Sequence, residues 1–536
     1  MTATIETLLL LLAVLVVVAV AARRLNTAPS ILLVIAGIAL ALLPGLPRIE
    51  LAPDLVLLGI LPPLIYSAGV AMSWREFRFN LRPITLFAFG CVVFTTCAVA
   101  AAAHWLLHMP LAVGFVLGAI VAPPDAVAPL AMVRRLGVPR RLVVVLEGEG
   151  LANDATALIL YRFAVAAVST GLFSFGTAAG EFAVIVVGEI AYGIAIGWLS
   201  LRLRRWANDP RVEITLSLLT PYVAFLLPQQ LGGSGVLATV AAGLYVSWNG
   251  ALLIPAATRL QGIFFWDLVV YLLEGLVFLV TGMQVRTVFL QLHAVPWHHF
   301  AYAIGLTVAV VVATRFIWVY PAAWLPRWLS PSLARRDPVP PWRWLTFLGF
   351  VGVRGVVSLA AALAIPLFTA SGAPFPDRDL ILFVTFGVIV VTLIGQGMLL
   401  PPLVRWLGLD KHAADERRGE HEAELTARAQ ALNVGHQRLQ QVIADGRISP
   451  EALAVLRARH EYRAGRLPAN ARDSAAAAIM AADIRTELIE AEREFIYKLL
   501  QDGAITDEAR RRIERELDLE EASAACEKEG GQEPPL

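Results

Sequence analysis

Between Glu147 and Leu158 the chain reads EGEGLANDATAL, with RRLVVVL before it and ILYRFAVAAV after it. A carboxylate at the centre of a hydrocarbon layer costs about 2.5–3.5 kcal/mol even on a lenient insertion scale, so such groups face a cavity or a partner and mark ion or proton paths. The acids placed within apolar runs are Asp125, Glu147, Glu149, Asp154, Glu189, Asp267 and Glu274, and the bases are Arg162, Arg315 and Arg354. Pairing absorbs some of them, and the preferred pair is Glu149 with Arg354. Glu274 is either a second cavity acid or a buried partner for Arg315. Asp267 is expected at a helix end, and Arg162 is expected to extend its head to a membrane face. On a helix, Glu147, Gly150 and Asp154 share one face, and Gly150 lets a neighbouring backbone approach. Asn153 lies about 100° from Asp154 and points elsewhere, toward a broken neighbouring helix whose freed backbone groups an amide can satisfy. Asp154 is left without an obvious fixed partner. A desolvated carboxylate holds a proton tightly, and its oxygens also suit a small hard cation. Competition between the two on one site is sufficient for exchange, provided that the empty, charged site does not cross the hydrophobic barrier.

The elements that must position these groups follow from composition. The chain has 536 residues, 57% hydrophobic and 16% charged, with a mean hydropathy of +0.67, which is a polytopic membrane composition. A spanning helix needs roughly 20 mainly apolar residues. Thirteen runs qualify, centred near residues 14, 38, 61, 95, 121, 154, 192, 220, 241, 275, 309, 356 and 392. Short loops after the odd-numbered runs hold 18 Arg, and those after the even-numbered runs hold three, Arg48, Arg286 and Arg378. The alternation places the N-terminus outside and the C-terminus in the cytoplasm. The first run lacks a preceding basic segment and reads as a retained helix, not a signal peptide.

Two runs are interrupted. The fifth, GAIVAPPDAVAPLAMV, sets Pro123, Pro124 and Pro129 around Asp125. The twelfth, FLGFVGVRGVVSLAAAL, sets Gly349, Gly352 and Gly355 around Arg354. Proline removes a donor and breaks the helix. Paired interrupted spans seven apart are what inverted repeats of six spans about a central one would produce, and they point to a secondary transporter's substrate site. Residues 1–409 form the membrane domain, with 25 basic against 17 acidic residues. Residues 410–536, with 19 against 26, form a soluble helical tail. In the tail Ile484, Leu488, Ile489, Phe495, Leu499 and Leu500 share a face. Breaks are expected at ADGRISPE and AGRLPAN, and disorder in the terminal EKEGGQEPPL. Three cysteines, Cys91, Cys97 and Cys526, indicate no disulfide or metal-thiolate framework.

The motifs LPPLIYSAG (61–69), APPDAVAPL (122–130), LEGEGLANDATAL (146–158), FFWDLVVYLLEGLVFLVTGMQ (264–284), TRFIWVYP (314–321) and FVGVRGVVSLAAAL (350–363) resemble those of bacterial sodium/proton exchangers. These belong to the monovalent cation:proton antiporter family, in the branch with Asn-Asp where the electrogenic branch has Asp-Asp. The resemblance implies a homodimer in which a core bundle, holding the two crossed, discontinuous helices, moves against a dimerisation bundle. It implies that Asp154 binds cation and proton, that Asn153 is its structural neighbour, that Asp125 belongs to the unwound crossing, and that Glu149 and Arg354 form a stabilising ion pair. One exchangeable acid fits electroneutral one-for-one exchange. Three positions depart from the pattern: Gly150 stands where many members have a Ser ligand, Pro124 where many have Thr, and Ser67 where a carboxylate is common.

The expectation is therefore an all-α membrane protein of about thirteen transmembrane helices in inverted repeats, multi-pass in a bacterial inner membrane. It exchanges a monovalent cation, foremost Na⁺, for H⁺ by alternating access, in pH and sodium homeostasis. The alternatives are K⁺/H⁺ exchange and, from another class, a cation channel or a membrane sensor. No catalytic constellation, cofactor or nucleic-acid partner is indicated; the partners are the bilayer, a second copy and the ions.

Overall fold

The computed structural model describes residues 2–25, 27–43, 52–171, 174–290, 297–465, 471–502 and 506–531. Arg48, the last residues of AGRLPAN and the final five residues lie outside these, and the Cys526 side chain is not described. The chain divides into two compact units, Met1–Ala413 and Ala414–Leu536.

In the first unit each of the thirteen apolar centres falls in a helical segment. In order these are Thr2–Leu25, Pro29–Leu42, Leu55–Ala71, Leu81–Leu106, the pair Leu111–Val121 and Val127–Leu136, Arg140–Thr170, Phe175–Ala207, Pro210–Gln230, Val236–Leu253, Ala256–Met283, Trp297–Leu329, the pair Trp342–Phe350 and Val356–Leu363, and Arg378–Leu407. Among the described residues, eight helices are individually long and apolar enough to cross a membrane. The fifth and twelfth segments are interrupted, at residues 122–126 and 351–355, where the sequence places proline and glycine around a charge.

Packing sorts the segments into two groups. The fourth, fifth, sixth, eleventh, twelfth and thirteenth pack on one another, and the first, second, third and seventh to tenth form the other group. Small residues set the close contacts within each, as in membrane helix pairs generally. A Cβ on Gly118 of the fifth segment would be 3.1 Å from Thr96 Cα of the fourth, and one on Gly282 of the tenth would be 3.0 Å from Gly37 Cα of the second.

Glu189 has a structural task. Buried in the seventh segment, it accepts hydrogen bonds from the backbone amides of Ser234 (2.5 Å), Gly235 (3.0 Å) and Leu237 (3.1 Å) and from the Ser234 hydroxyl. Those amides open the ninth segment, where helix donors lack partners and the dipole favours an anion. Arg162 directs its head to the turn between the eighth and ninth segments. Its Nη1 donates to Gly233 O of that turn at 2.5 Å.

In the second unit, helices Ala471–Gln501 and Asp507–Gly531 pair, with Ile489 and Leu517 buried in the seam and Arg493 bonded to Asp518 (2.5 Å) and Glu521 (2.6 Å). Of the face expected on the first of these helices, Ile484, Leu488 and Phe495 stay exposed, since a two-helix seam covers only a narrow stripe. The last helix runs through Gly531, so EKEGG is helical where disorder was expected.

Candidate functional site

The two breaks meet, and backbone arithmetic explains how. An unbroken fifth helix would have Asp125 N–H donate to Val121 O. Instead it donates to Val353 O, in the other break, at 2.7 Å. Val121 O then needs another donor. Arg354 supplies it: its Nε donates to Val121 O (2.9 Å), its Nη2 to Ala122 O (3.2 Å), and its Nη1 to Gly352 O. A guanidinium therefore sits at the carbonyl end of one half-helix, where a cation is favoured. Asp125 does the converse. Its Oδ1 accepts from Val127 N at 2.9 Å at the start of the second half-helix. Its other oxygen lies so close to Gly355 that any Cβ there would collide with it.

Arg354 is thus not the partner of Glu149. The Glu149 carboxylate is gripped side-on by Arg315, Nη1 to Oε1 at 2.5 Å and Nη2 to Oε2 at 2.8 Å, with both side chains 2% exposed. Arg315 also donates from Nε to Leu348 O at 2.8 Å and stacks over Phe87 at 5.4 Å. Arg315 belongs to an unbroken helix and is free to present its fork to a carboxylate, whereas the freed carbonyls of the fifth break claim Arg354. The same finding removes Arg315 as a partner for Glu274.

Asn153 is fully buried and its Nδ2 donates to Pro124 O at 2.6 Å, so Pro124 joins the site through its carbonyl. Gly150 faces the same bend, and a Cβ there would collide with the Ala126 methyl. Glu147 pairs with Arg134 at 2.6 Å. The Ser67 hydroxyl donates to Leu64 O within its own helix at 2.9 Å.

A cavity of about 770 Å³ opens between the two groups of segments. Asp125, Glu147, Gly150, Asp154, Ser67, Pro124 and Glu274 all line it. Among the described residues, Asp154 has no hydrogen bond or ion pair, and nor does Glu274. Asp267 lines the cavity too, from within the helix Ala256–Met283 and not from its end. The apolar run reaches further toward the N-terminal side than Trp266 suggests. Glu213, Thr258 and Arg204 also line it and are not singled out from sequence, because they fall next to basic loops and look like surface residues; Tyr66, from within the third segment, lines it too. No group of His, Cys, Asp and Glu with metal-centre geometry occurs among the described residues.

The family description "sodium/hydrogen exchanger, transmembrane" matches residues 10–406. The chain belongs to this family. As one of its exchangers it is a monovalent cation/proton antiporter, a transporter and not an enzyme. It is 36% identical over 511 residues to an uncharacterised Na⁺/H⁺ exchanger of Mycobacterium tuberculosis, covering 93% of this chain and 92% of that one. It is 35% identical to a sodium, potassium, lithium and rubidium/H⁺ antiporter of Bacillus pumilus over 68% of this chain and 56% of that one. The exchanger shares the fold of the sodium proton antiporter MjNhaP1 of Methanocaldococcus jannaschii, at a TM-score of 0.59 and 18% identity, covering 75% of this chain and 98% of that structure.

Proposed function

We propose that this exchanger swaps Na⁺ for H⁺ at Asp154 by alternating access, serving pH and sodium homeostasis. One observation carries the assignment: Asp154 faces the cavity with no fixed partner among the described residues, while Glu149, five residues earlier on the same helix, is neutralised by Arg315. A carboxylate with no permanent counter-charge must take a proton or a cation before it can pass through a closed, dry state. Asn153 and Asp125 hold the bend of the fifth segment against it, the former through Pro124 O and the latter through the two half-helix starts. Movement of the group holding the crossed breaks against the other group would expose the cavity alternately to each side. The one-partner chemistry supports one-for-one, electroneutral exchange.

The loop arginines support a cytoplasmic C-terminus in a bacterial inner membrane, and the family resemblance supports a homodimer. K⁺ is the second reading. Gly150 offers no hydroxyl, so the cation's shell draws on backbone carbonyls and water, and the Bacillus pumilus relative is named for four alkali ions. The test uses proteoliposomes with an interior pH dye, given pulses of NaCl, KCl, LiCl or choline chloride. Na⁺ moves protons in the wild type and choline does not; Asp154→Asn behaves like protein-free liposomes. Wild-type vesicles that respond to no cation would sink the antiport mechanism, and an active Asp154→Asn would sink the site.

A further inference from the structure

Away from Asp154, the cavity wall contributed by the eighth and tenth segments carries buried polar groups that the exchange step does not use. Glu213 is 2% exposed, and its Oε2 has no hydrogen-bond partner among the described residues. The Thr258 hydroxyl, 4% exposed, is partnerless in the same sense. Both residues line the cavity. An intramembrane carboxylate facing a cavity without a partner marks an ion path by default.

Register brings the two together. Ile214 lies beside Gly262, and Ser217 Oγ accepts from Trp266 Nε1 at 2.6 Å, so the eighth and tenth segments run parallel here. Glu213 is one turn before Ser217. Thr258, Gly262 and Trp266 follow one another at helical spacing on one face. A Cβ on Gly262 would meet only Ile214 Cγ1, at 4.0 Å, so the two helices are not tightly packed here, and Glu213, Ile214, Thr258 and Gly262 all line the cavity. Arg204, 6% exposed, donates to Tyr66 Oη at 2.8 Å and makes no ion pair with Glu213. The Tyr66 ring in turn packs 5.5 Å from Trp266. Tyr66 therefore engages the guanidinium while the Glu213 oxygen is left without a partner.

We infer that Glu213 and Thr258 form a second cation station, taking a partly hydrated monovalent cation at the inner mouth of the cavity on its way to or from Asp154. The inference rests on Asp154 as the exchange site. Two protein oxygens cannot replace a whole hydration shell, so the ion keeps water and leaves easily, as a conduction path requires.

In inside-out vesicles, Glu213→Gln raises the apparent KM for Na⁺ about tenfold with a maximal rate within about twofold of wild type, and Thr258→Val raises it about threefold. Glu213→Asp keeps a near-wild-type KM. A well-folded Glu213→Gln protein, monodisperse in detergent, that has an unchanged KM overturns the station; so does one in which only the maximal rate falls. A second measurement does not depend on transport. Purified Asp154→Asn protein retains weak binding of radioactive Na⁺, and adding Glu213→Gln abolishes it; no residual binding in Asp154→Asn also overturns the station. Failure of the antiport mechanism itself would show separately, as the absence of cation-driven proton movement in the wild type or its persistence in Asp154→Asn.

Discussion

Glu149 and Asp154 lie five residues apart on the helix Arg140–Thr170 and meet opposite fates. Glu149 turns into the packed side, where it is buried and Arg315 takes both its oxygens. Asp154 turns to the cavity and has no partner among the described residues. The same side chain chemistry, with one methylene of difference, is fixed in one place and exchangeable in the other. The difference lies in what the opposite helix presents: an unbroken helix supplies a guanidinium, and a broken one supplies backbone dipoles already satisfied by Arg354, Asn153 and Asp125.

The largest effect should come from the exchangeable side. Asp154→Asn keeps the shape and removes the charge, so exchange falls to the level of empty liposomes while the purified protein melts close to wild type. A variant that is both inactive and unfolded would mean that Asp154 is a fixed structural charge like Glu149, and the contrast would collapse.

On the fixed side the expected loss is in folding. Removing one member of a buried pair leaves the other uncompensated, at about 3–5 kcal/mol. Glu149→Gln or Arg315→Gln alone should therefore unfold at much lower temperature in detergent, and the double variant should recover part of the loss. The coupling between Glu149 and Arg315 should be about 2–3 kcal/mol, against no more than about 0.5 kcal/mol between Glu149 and Arg354. A cycle with the two arginines reversed would restore the pairing expected from sequence.

That pairing shows where sequence stops being informative. Hydropathy places the thirteen helical segments because each is an apolar run, although among the described residues only eight helices are long and apolar enough to cross a membrane, and proline and glycine mark both interruptions because their backbone effects are local. A choice between Arg315 and Arg354 is tertiary, yet a local signal existed. Breaking the fifth helix frees Val121 O and Ala122 O, and freed carbonyls in a dry site need donors. A charged donor in the second break is their natural source, which leaves Arg315 for Glu149. Glu189 gives a similar lesson, since the short PQQLGGSG turn leaves the ninth segment's first amides without a cap of their own. Glu213 and Thr258 had no such signal, because flanking arginines made their helix turns look solvated.

Gly150 lies between the two acids and can sharpen their contrast. A Ser there would add the hydroxyl whose absence sets this sequence apart in the family resemblance, but its Cβ collides with the Ala126 methyl. Overpacking of this kind costs about 1–3 kcal/mol. Gly150→Ser and Gly150→Ala should both lower the exchange rate severalfold, and Ala126→Gly should restore it. In that relieved background, a lower apparent KM for Na⁺ with Ser than with Ala would show that the hydroxyl reaches the ion held at Asp154. Equal KM values would confine the cation to the carboxylate and backbone oxygens.

The smallest effect concerns a third kind of carboxylate, fixed but outside the membrane-spanning segments. Asp337 bonds Arg82 (2.7 Å), Arg141 (2.8 Å) and Arg327 (2.8 Å), joining ends of the fourth, sixth and eleventh segments to the chain before the twelfth. Partial burial alone would raise its pKa, but the hydrogen bond and charge of Arg141, with the charges of Arg327 and Arg82, hold it below the usual carboxylate range. A carboxyl whose folded pKa is depressed contributes stability above its unfolded value, about pH 3.9, and loses it as pH falls through the folded value. Asp337→Asn should accordingly melt a few degrees below wild type at every pH above about 4, with the gap closing only in stronger acid. Solvent screening keeps the gap well short of that for Glu149, whose guanidinium partner is buried. If the gap instead closed near neutral pH, Asp337 would be titrating as an exchangeable acid does, and the line between fixed and exchangeable charge would have to be redrawn to include the loop before the twelfth segment.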